Sequence, residues 1–182
     1  MTTAEAGGGF QFGGGTIIPS DVSLLILDCF ETLVEMAGRS YIARKGITDF
    51  IDHYQQRGVP MVVLSDGEQG AVESALGQAG LAGRFAAVVG APLSLRQHED
   101  GRVLKRLDTV VKRFSVPIEQ VVFIGDSPLD GLAAQYHAVP FIRVPRSEDQ
   151  AFTFATLIKG PSRYQSAEFS NVFLERYLKR RP

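Results

Sequence analysis

Val22-Ser23-Leu24-Leu25-Ile26-Leu27-Asp28, followed by Cys29-Phe30-Glu31-Thr32-Leu33, is a short apolar run that stops on a carboxylate. Four to eight apolar residues in a row, rich in Leu and Ile, are the pattern of a strand covered on both faces. Working outward, the same kind of run recurs at Pro60 to Ser65, Phe85 to Val89, Val121 to Gly125 and Val139 to Val144. Between these runs the spacing becomes helical. Ile47 to Arg57 carries Ile47, Phe50, Ile51 and Tyr54 on one face before Gly58. Glu68 to Ala79 closes at Gly80, Val103 to Phe114 turns Leu104, Leu107, Val110, Val111 and Phe114 inward, and Leu129 to His137 completes the series. Strand alternating with helix predicts parallel strands joined by right-handed crossovers. The expected fold is α/β, a Rossmann-like three-layer α/β/α arrangement with a central parallel sheet.

In such sheets ligands bind at the carboxyl ends of the strands. Three of those ends are polar here: Asp28; Ser65 with Asp66 and Gly67; and Gly125-Asp126-Ser127, with Asp130 one helical turn on. Several carboxylates at one sheet edge repel each other unless a hard cation joins them. Mg²⁺, an oxygen-seeking ion, suits that set. A hydroxyl, a lysine and free backbone amides beside it suit a phosphate. Lys105 is expected to open the helix that starts at Val103; Lys112, two turns along, is the alternative lysine. Taken singly, Asp28, Ser65, Asp126 and Asp130 also fit turn and helix-cap roles.

The rest of the chain narrows the choices. Its 182 residues suit one domain, and 19 basic against 20 acidic side chains give a formal net charge of −1. That excludes a nucleic-acid binder driven by bulk positive charge, although nucleic acid as a substrate stays open. One cysteine, Cys29, allows no intrachain disulfide, and three scattered histidines make zinc or Ser–His–Asp chemistry a poor fit. No apolar run has the roughly 18 residues of a membrane span, so no membrane partner is expected. Without a secretory signal or disulfides, the expectation is a cytoplasmic protein. Residues 1–18, with two Gly triplets, read as a flexible tail, 19–160 as the folded core, and 161–182 as a helical extension over Ala167 to Lys179.

The motifs of the core resemble those of the haloacid dehalogenase superfamily of hydrolases, chiefly phosphatases. Asp28, Thr32 and Leu33 fit its first motif, Ser65 its second, Lys105 its third, and Gly125-Asp126-Ser127-Pro128-Leu129-Asp130 its fourth. The resemblance implies that Asp28 attacks phosphorus and is transiently phosphorylated, dividing one hard displacement into two easier ones. It implies Mg²⁺ held by Asp28, the main-chain carbonyl of Phe30, and Asp126, with Asp130 as a further or indirect ligand. Ser65, Asp66 and Gly67 would bind phosphoryl oxygens, Lys105 would neutralise charge and pair with Asp28, and Thr32 would orient the loop through bonds to its backbone.

One position breaks the pattern. Phosphatases of this family carry a second Asp two residues after the nucleophile, where this chain has Phe30, which cannot exchange a proton. General acid–base help is typically worth about 10²–10⁴-fold, so slow turnover is expected unless Glu31 serves as a displaced acid. Two alternatives follow: a non-catalytic binding or regulatory module, and a dehalogenase-type hydrolase, whose members carry an aromatic residue at this position and use no metal. The stretch from Leu33 to Ser65 is too short for the helical cap of the dehalogenases. With Arg44-Lys45-Gly46 leading into a helix it resembles capless members, whose open site suits a large phosphorylated substrate or one covered by a second copy or protein partner. Residues 90–101, with Arg96 and His98, are a candidate flap. Arg143, Arg146 and Arg163 are candidates for a substrate rim.

Overall fold

Leu24–Leu27 (β1) lies in the middle of a five-stranded sheet in this computed structural model, which describes residues 18–159. The chain then makes an antiparallel hairpin, Val34–Ala37 (β2) with Ser40–Ala43 (β3), and the helix Ile47–Gln56 (α1). Met61–Glu68 (β4), Gln69–Gln78 (α2) and Ala87–Ala91 (β5) follow. A second small hairpin pairs Leu95–Gln97 (β6) with Val103–Lys105 (β7) ahead of Leu107–Phe114 (α3). The last elements are Val121–Gly125 (β8), Pro128–Tyr136 (α4), Phe141–Arg143 (β9) and the short helix Ala155–Lys159 (α5). The main sheet runs β5-β4-β1-β8-β9 and every pairing in it is parallel.

The alternation of β1 explains the layers. Leu25 and Leu27 join one apolar cluster with Phe50, Ile51 and Tyr54 of α1, Val72 and Leu76 of α2, and Phe154 and Leu157 near the end of the described chain. Leu24 and Ile26 join the other, with Leu107 and Val110 of α3 and Ala133 and Ala134 of α4. All four β1 side chains are fully buried, as a period of two with both faces covered requires. The chain leaves β1 toward β4 on one side and comes back to pair β8 on the other. The carboxyl end of β1 is therefore the point where strand order reverses, the place such sheets reserve for ligands.

Several expectations need revision. The helix expected from Val103 begins only at Leu107. Val103-Leu104-Lys105 is a strand, because pairing with β6 satisfies its backbone while Leu104 still reaches the core. Lys105 therefore ends a strand instead of opening a helix. The candidate flap is half strand: Leu95–Gln97 is held in that hairpin. β4 runs through Asp66 and Gly67 to Glu68, with a register shift after Leu64. Between Leu33 and Ser65 there is the β2–β3 hairpin and α1, with no helical cap. Of the expected tail only Ile18 is described, and it is buried in the core; Arg163 and the helix expected at Ala167 to Lys179 lie outside the described residues. Among the described residues no helix is long and apolar enough to cross a membrane.

Candidate functional site

Asp28, Asp126 and Asp130 are all buried, and each offers an oxygen within 4.8 Å of the others. Register produces this convergence. Leu27 pairs with both Val63 and Ile124, so Asp28 leaves the sheet level with Gly125, the last residue of β8, and beside the stretch of β4 that leads to Ser65. Its amide donates to Ile124 O at 2.9 Å. Asp126 follows β8 directly. Asp130 arrives one turn into α4 through a capping box: its amide donates to Ser127 Oγ (3.1 Å), and the Ser127 amide donates to Asp130 Oδ2 (3.2 Å). Pro128 at the first turn has no donor to lose there. Gly125 makes the approach possible, because a Cβ on it would lie 2.5 Å from Asp130 Oδ2. Asp130 is thus both a helix cap and a member of the acidic group.

Lys105 enters from β7. Its Nζ donates to Asp28 Oδ1 at 2.5 Å and to Asp130 Oδ1 at 2.6 Å, and only 6% of its side chain is exposed. Lys112 instead lies on the surface beside Asp108. Burial works against the charge of Lys105, yet the two carboxylates outweigh it and raise its pKa above the ordinary lysine range. For Asp28, burial comes first and raises the carboxyl to about 7; Lys105 pulls down and Asp130 pushes up. Asp126 is raised too, by burial and then by Asp130, against Thr32 and Arg146. One lysine therefore does not neutralise the group. An all-oxygen, electron-rich set still short of positive charge fits a hard divalent cation.

Two residues take places other than those expected. Thr32, fully buried, donates to Asp126 Oδ1 at 3.1 Å and stands 3.5 Å from Asp28 Oδ2. Its hydroxyl spaces the carboxylates instead of bonding loop backbone. Glu31 is no displaced acid. Its Oε2 accepts from the amide (3.0 Å) and the hydroxyl (2.6 Å) of Ser147. Burial would raise its pKa, but the Ser147 bonds, Arg146 and Arg44 together hold it below the usual range, so it carries no proton to give near neutrality.

On the β4 side, Ser65 is fully buried, its Oγ accepts from the Gly67 amide at 3.2 Å, and Asp66 is exposed. Gly67 is needed for space: a Cβ there would sit 2.5 Å from Phe30 Cε2. The Phe30 ring also meets Tyr41 of the hairpin at 5.3 Å between centroids. The Cys29 thiol, buried and beside Asp28, is pushed up to about 12 and stays protonated.

Sequence reading missed three supporting residues. Ser94 donates to Ser65 O at 2.5 Å. Buried Arg44 donates to Glu31 O (2.6 Å) and Pro145 O (2.7 Å), tying the loop after β1 to the loop after β9. Ser147 is the third. Arg146, weighed only as a rim charge, has Nε 3.3 Å from Asp126 Oδ2, while Arg143 Nε donates to Asp126 O at 3.0 Å. Nothing in local sequence pattern marks these contacts, since each joins elements far apart in the chain. Arg96 Nη2 lies 4.0 Å from Asp108 Oδ2, and the His98 ring packs on Tyr136 at 4.4 Å between centroids.

A parallel sheet that gathers three carboxylates and a lysine at its switch point defines an α/β class of protein with an acidic centre suited to a hard cation. Residues 26–137 match the haloacid dehalogenase-like hydrolase family, and the chain belongs to it. No curated protein matches the chain. Among solved structures, a haloacid dehalogenase-superfamily hydrolase of subfamily IA from Geobacter sulfurreducens is similar at 16% identity and TM-score 0.54, covering 69% of this chain and 93% of that one. A predicted phosphoglycolate phosphatase from Haemophilus somnus is similar at 11% identity and TM-score 0.57, covering 71% and 91%. The N-terminal part of a Bacteroides fragilis protein, containing a phosphatase domain and complexed with Mg, is similar at 17% identity and TM-score 0.55, covering 75% and 39%. At these identities the likeness is one of fold.

Proposed function

We propose that the protein is a Mg²⁺-dependent phosphohydrolase that works through phosphorylation of Asp28. The observation that carries this reading is the buried Asp28–Lys105–Asp130 bridge beside Asp126. Lys105 holds one Asp28 oxygen and Thr32 stands near the other, so the carboxylate is aimed before any substrate arrives. Asp28, Asp126, Asp130 and the Phe30 carbonyl would hold the ion, which when bound supplies positive charge against the phosphoryl oxygens. Ser65, fixed through its carbonyl by Ser94, and the amides of Asp66 and Gly67 would receive those oxygens. Phosphatase domains among structures of the same fold, one of them complexed with Mg, agree with this reading.

Phe30 sets the expected pace. Its ring fills the space over Gly67, and Glu31 is bound to Ser147, so neither protonates a leaving oxygen. Substrates with good leaving groups are favoured, and with no helical cap the site suits a large substrate or one presented by a partner. The same observation supports a second reading, a module that binds phosphorylated ligands without turnover. Phosphate release from an aryl phosphate separates them. The first reading expects release with Mg²⁺ that is lost with chelator and in Asp28→Asn. Binding without release favours the second. Halide release that survives chelation would move the protein to the dehalogenases.

A further inference from the structure

Arg146 occupies an unusual place for a cation at an acidic centre. Asp126 has two oxygens, and both are engaged: Oδ1 by Thr32 at 3.1 Å and Oδ2 by Arg146 at 3.3 Å. A divalent ion on Asp126 would share these oxygens with their donors, and its positive charge would repel the Arg146 guanidinium but not the neutral Thr32 hydroxyl. Thr32 is fully buried between two carboxylates, whereas 60% of the Arg146 side chain is exposed on a long, flexible stem. The arginine is the partner that yields, because it carries the same sign of charge as the ion and its exposed stem is free to move while buried Asp126 stays in place.

Arg146 cannot drift far when it yields. The Val144 amide donates to Gly125 O at 2.9 Å, Arg143 Nε donates to Asp126 O, and Ser147 is fastened to Glu31 by two bonds. Arg44 holds Pro145 O between them. The backbone on both sides of Arg146 is thus tied to the strand ends that carry Asp28 and Asp126. Asp126 is also its one ion-pair partner among the described residues.

We propose that Arg146 is a built-in counter-ion of the metal site: it neutralises Asp126 until Mg²⁺ binds, then turns its guanidinium onto the phosphoryl oxygens of the substrate. The Glu31–Ser147 bonds keep it within reach for both roles, which gives a physical use for a glutamate at a backbone φ of 58°. A planar guanidinium with free N–H groups beside a bound cation is well matched to a phosphoryl group. This inference rests on the reading of Asp126 as a metal ligand.

The test uses the full chain and two calorimetric titrations, Mg²⁺ alone and then inorganic phosphate at saturating Mg²⁺. Arg146→Gln is expected to tighten Mg²⁺ by about three- to tenfold and to weaken phosphate by about tenfold or more. Arg146→Lys keeps the charge and should return Mg²⁺ affinity to within about twofold of the parent. Unchanged or weaker Mg²⁺ binding in Arg146→Gln, or a Lys variant that tightens Mg²⁺ as much as Gln does, overturns the counter-ion role. Unchanged phosphate affinity overturns the transfer to substrate. In those cases the parent still binds Mg²⁺ and the hydrolase reading stands, whereas a parent chain that binds no Mg²⁺ brings down both.

Discussion

Lys105→Met removes the cation between Asp28 and Asp130 and leaves the aliphatic stem roughly in place. Lys105 Nζ is 2.5 Å and 2.6 Å from the two carboxylates, with 6% of its side chain exposed and the partners at 6% and 2%. Taking one member out of so enclosed a pair typically costs about 3–5 kcal/mol, because the remaining charge is stranded. Two carboxylates about 5 Å apart at an effective dielectric of about 20 add repulsion of about 3 kcal/mol, which overlaps with that figure. Protonation offers an escape. Asp28 already lies at about 7, and without Lys105 it moves higher, so the carboxyl is neutral in acid. The expected loss is therefore about 3–5 kcal/mol near pH 8, clearly smaller near pH 5, and partly restored by Mg²⁺ near pH 8. Urea unfolding of parent and variant at both pH values, with and without Mg²⁺, measures all three. A loss under about 1 kcal/mol near pH 8, or one that does not change with pH, refutes the reasoning.

Three further outcomes follow from the same site. Because folding raises Asp28 from 3.8 to about 7, its contribution to stability is complete below about 4 and is lost as pH climbs through about 7. The stability difference between the metal-free parent and Asp28→Asn should drift against the parent across that window. A constant difference in urea midpoints contradicts the assignment. Phe30→Asp restores a group that can exchange protons, and aryl phosphate turnover should rise by about 10²–10⁴-fold, a ceiling reached only if leaving-group protonation limits the parent. No rise in steady-state kcat places the limit elsewhere. Glu31 has a left-handed backbone and two bonds to Ser147, so Glu31→Ala keeps the strain and loses the bonds while Glu31→Gly loses both. The Ala variant should be less stable than Gly by about 1 kcal/mol; thermal melts showing the reverse order refute the account of that loop.

The three central strands were legible because burial on both faces writes itself as unbroken apolar runs, and Val121–Gly125 is found at the expected residues; the half-buried edge strands β5 and β9 kept enough of the same apolar run to be read. The two hairpins were not. β2 and β3 are half exposed and carry Glu35 and Ser40, with Arg39 in the turn between them, in place of a clean alternation, and β7 hides inside a window whose Leu104, Leu107 and Val110 fit a helical period. The convergence of Asp28, Asp126 and Asp130 could be read, since each stands at or just past a strand end. The grip on Glu31 could not: it depends on Ser147, 116 residues away, and on a loop whose path only the fold defines. The same holds for Arg146, whose role is set by where β9 leads and by no local motif.

The claim beneath the rest is that Asp28 accepts a phosphoryl group. Mass spectrometry of the chain, quenched in acid during turnover of an aryl phosphate with Mg²⁺, reads this directly. The account predicts one added phosphoryl group, labile to hydroxylamine, on the peptide that contains Asp28, and none in Asp28→Asn. Phosphate release with an unmodified Asp28 peptide, or modification of a different residue, contradicts it.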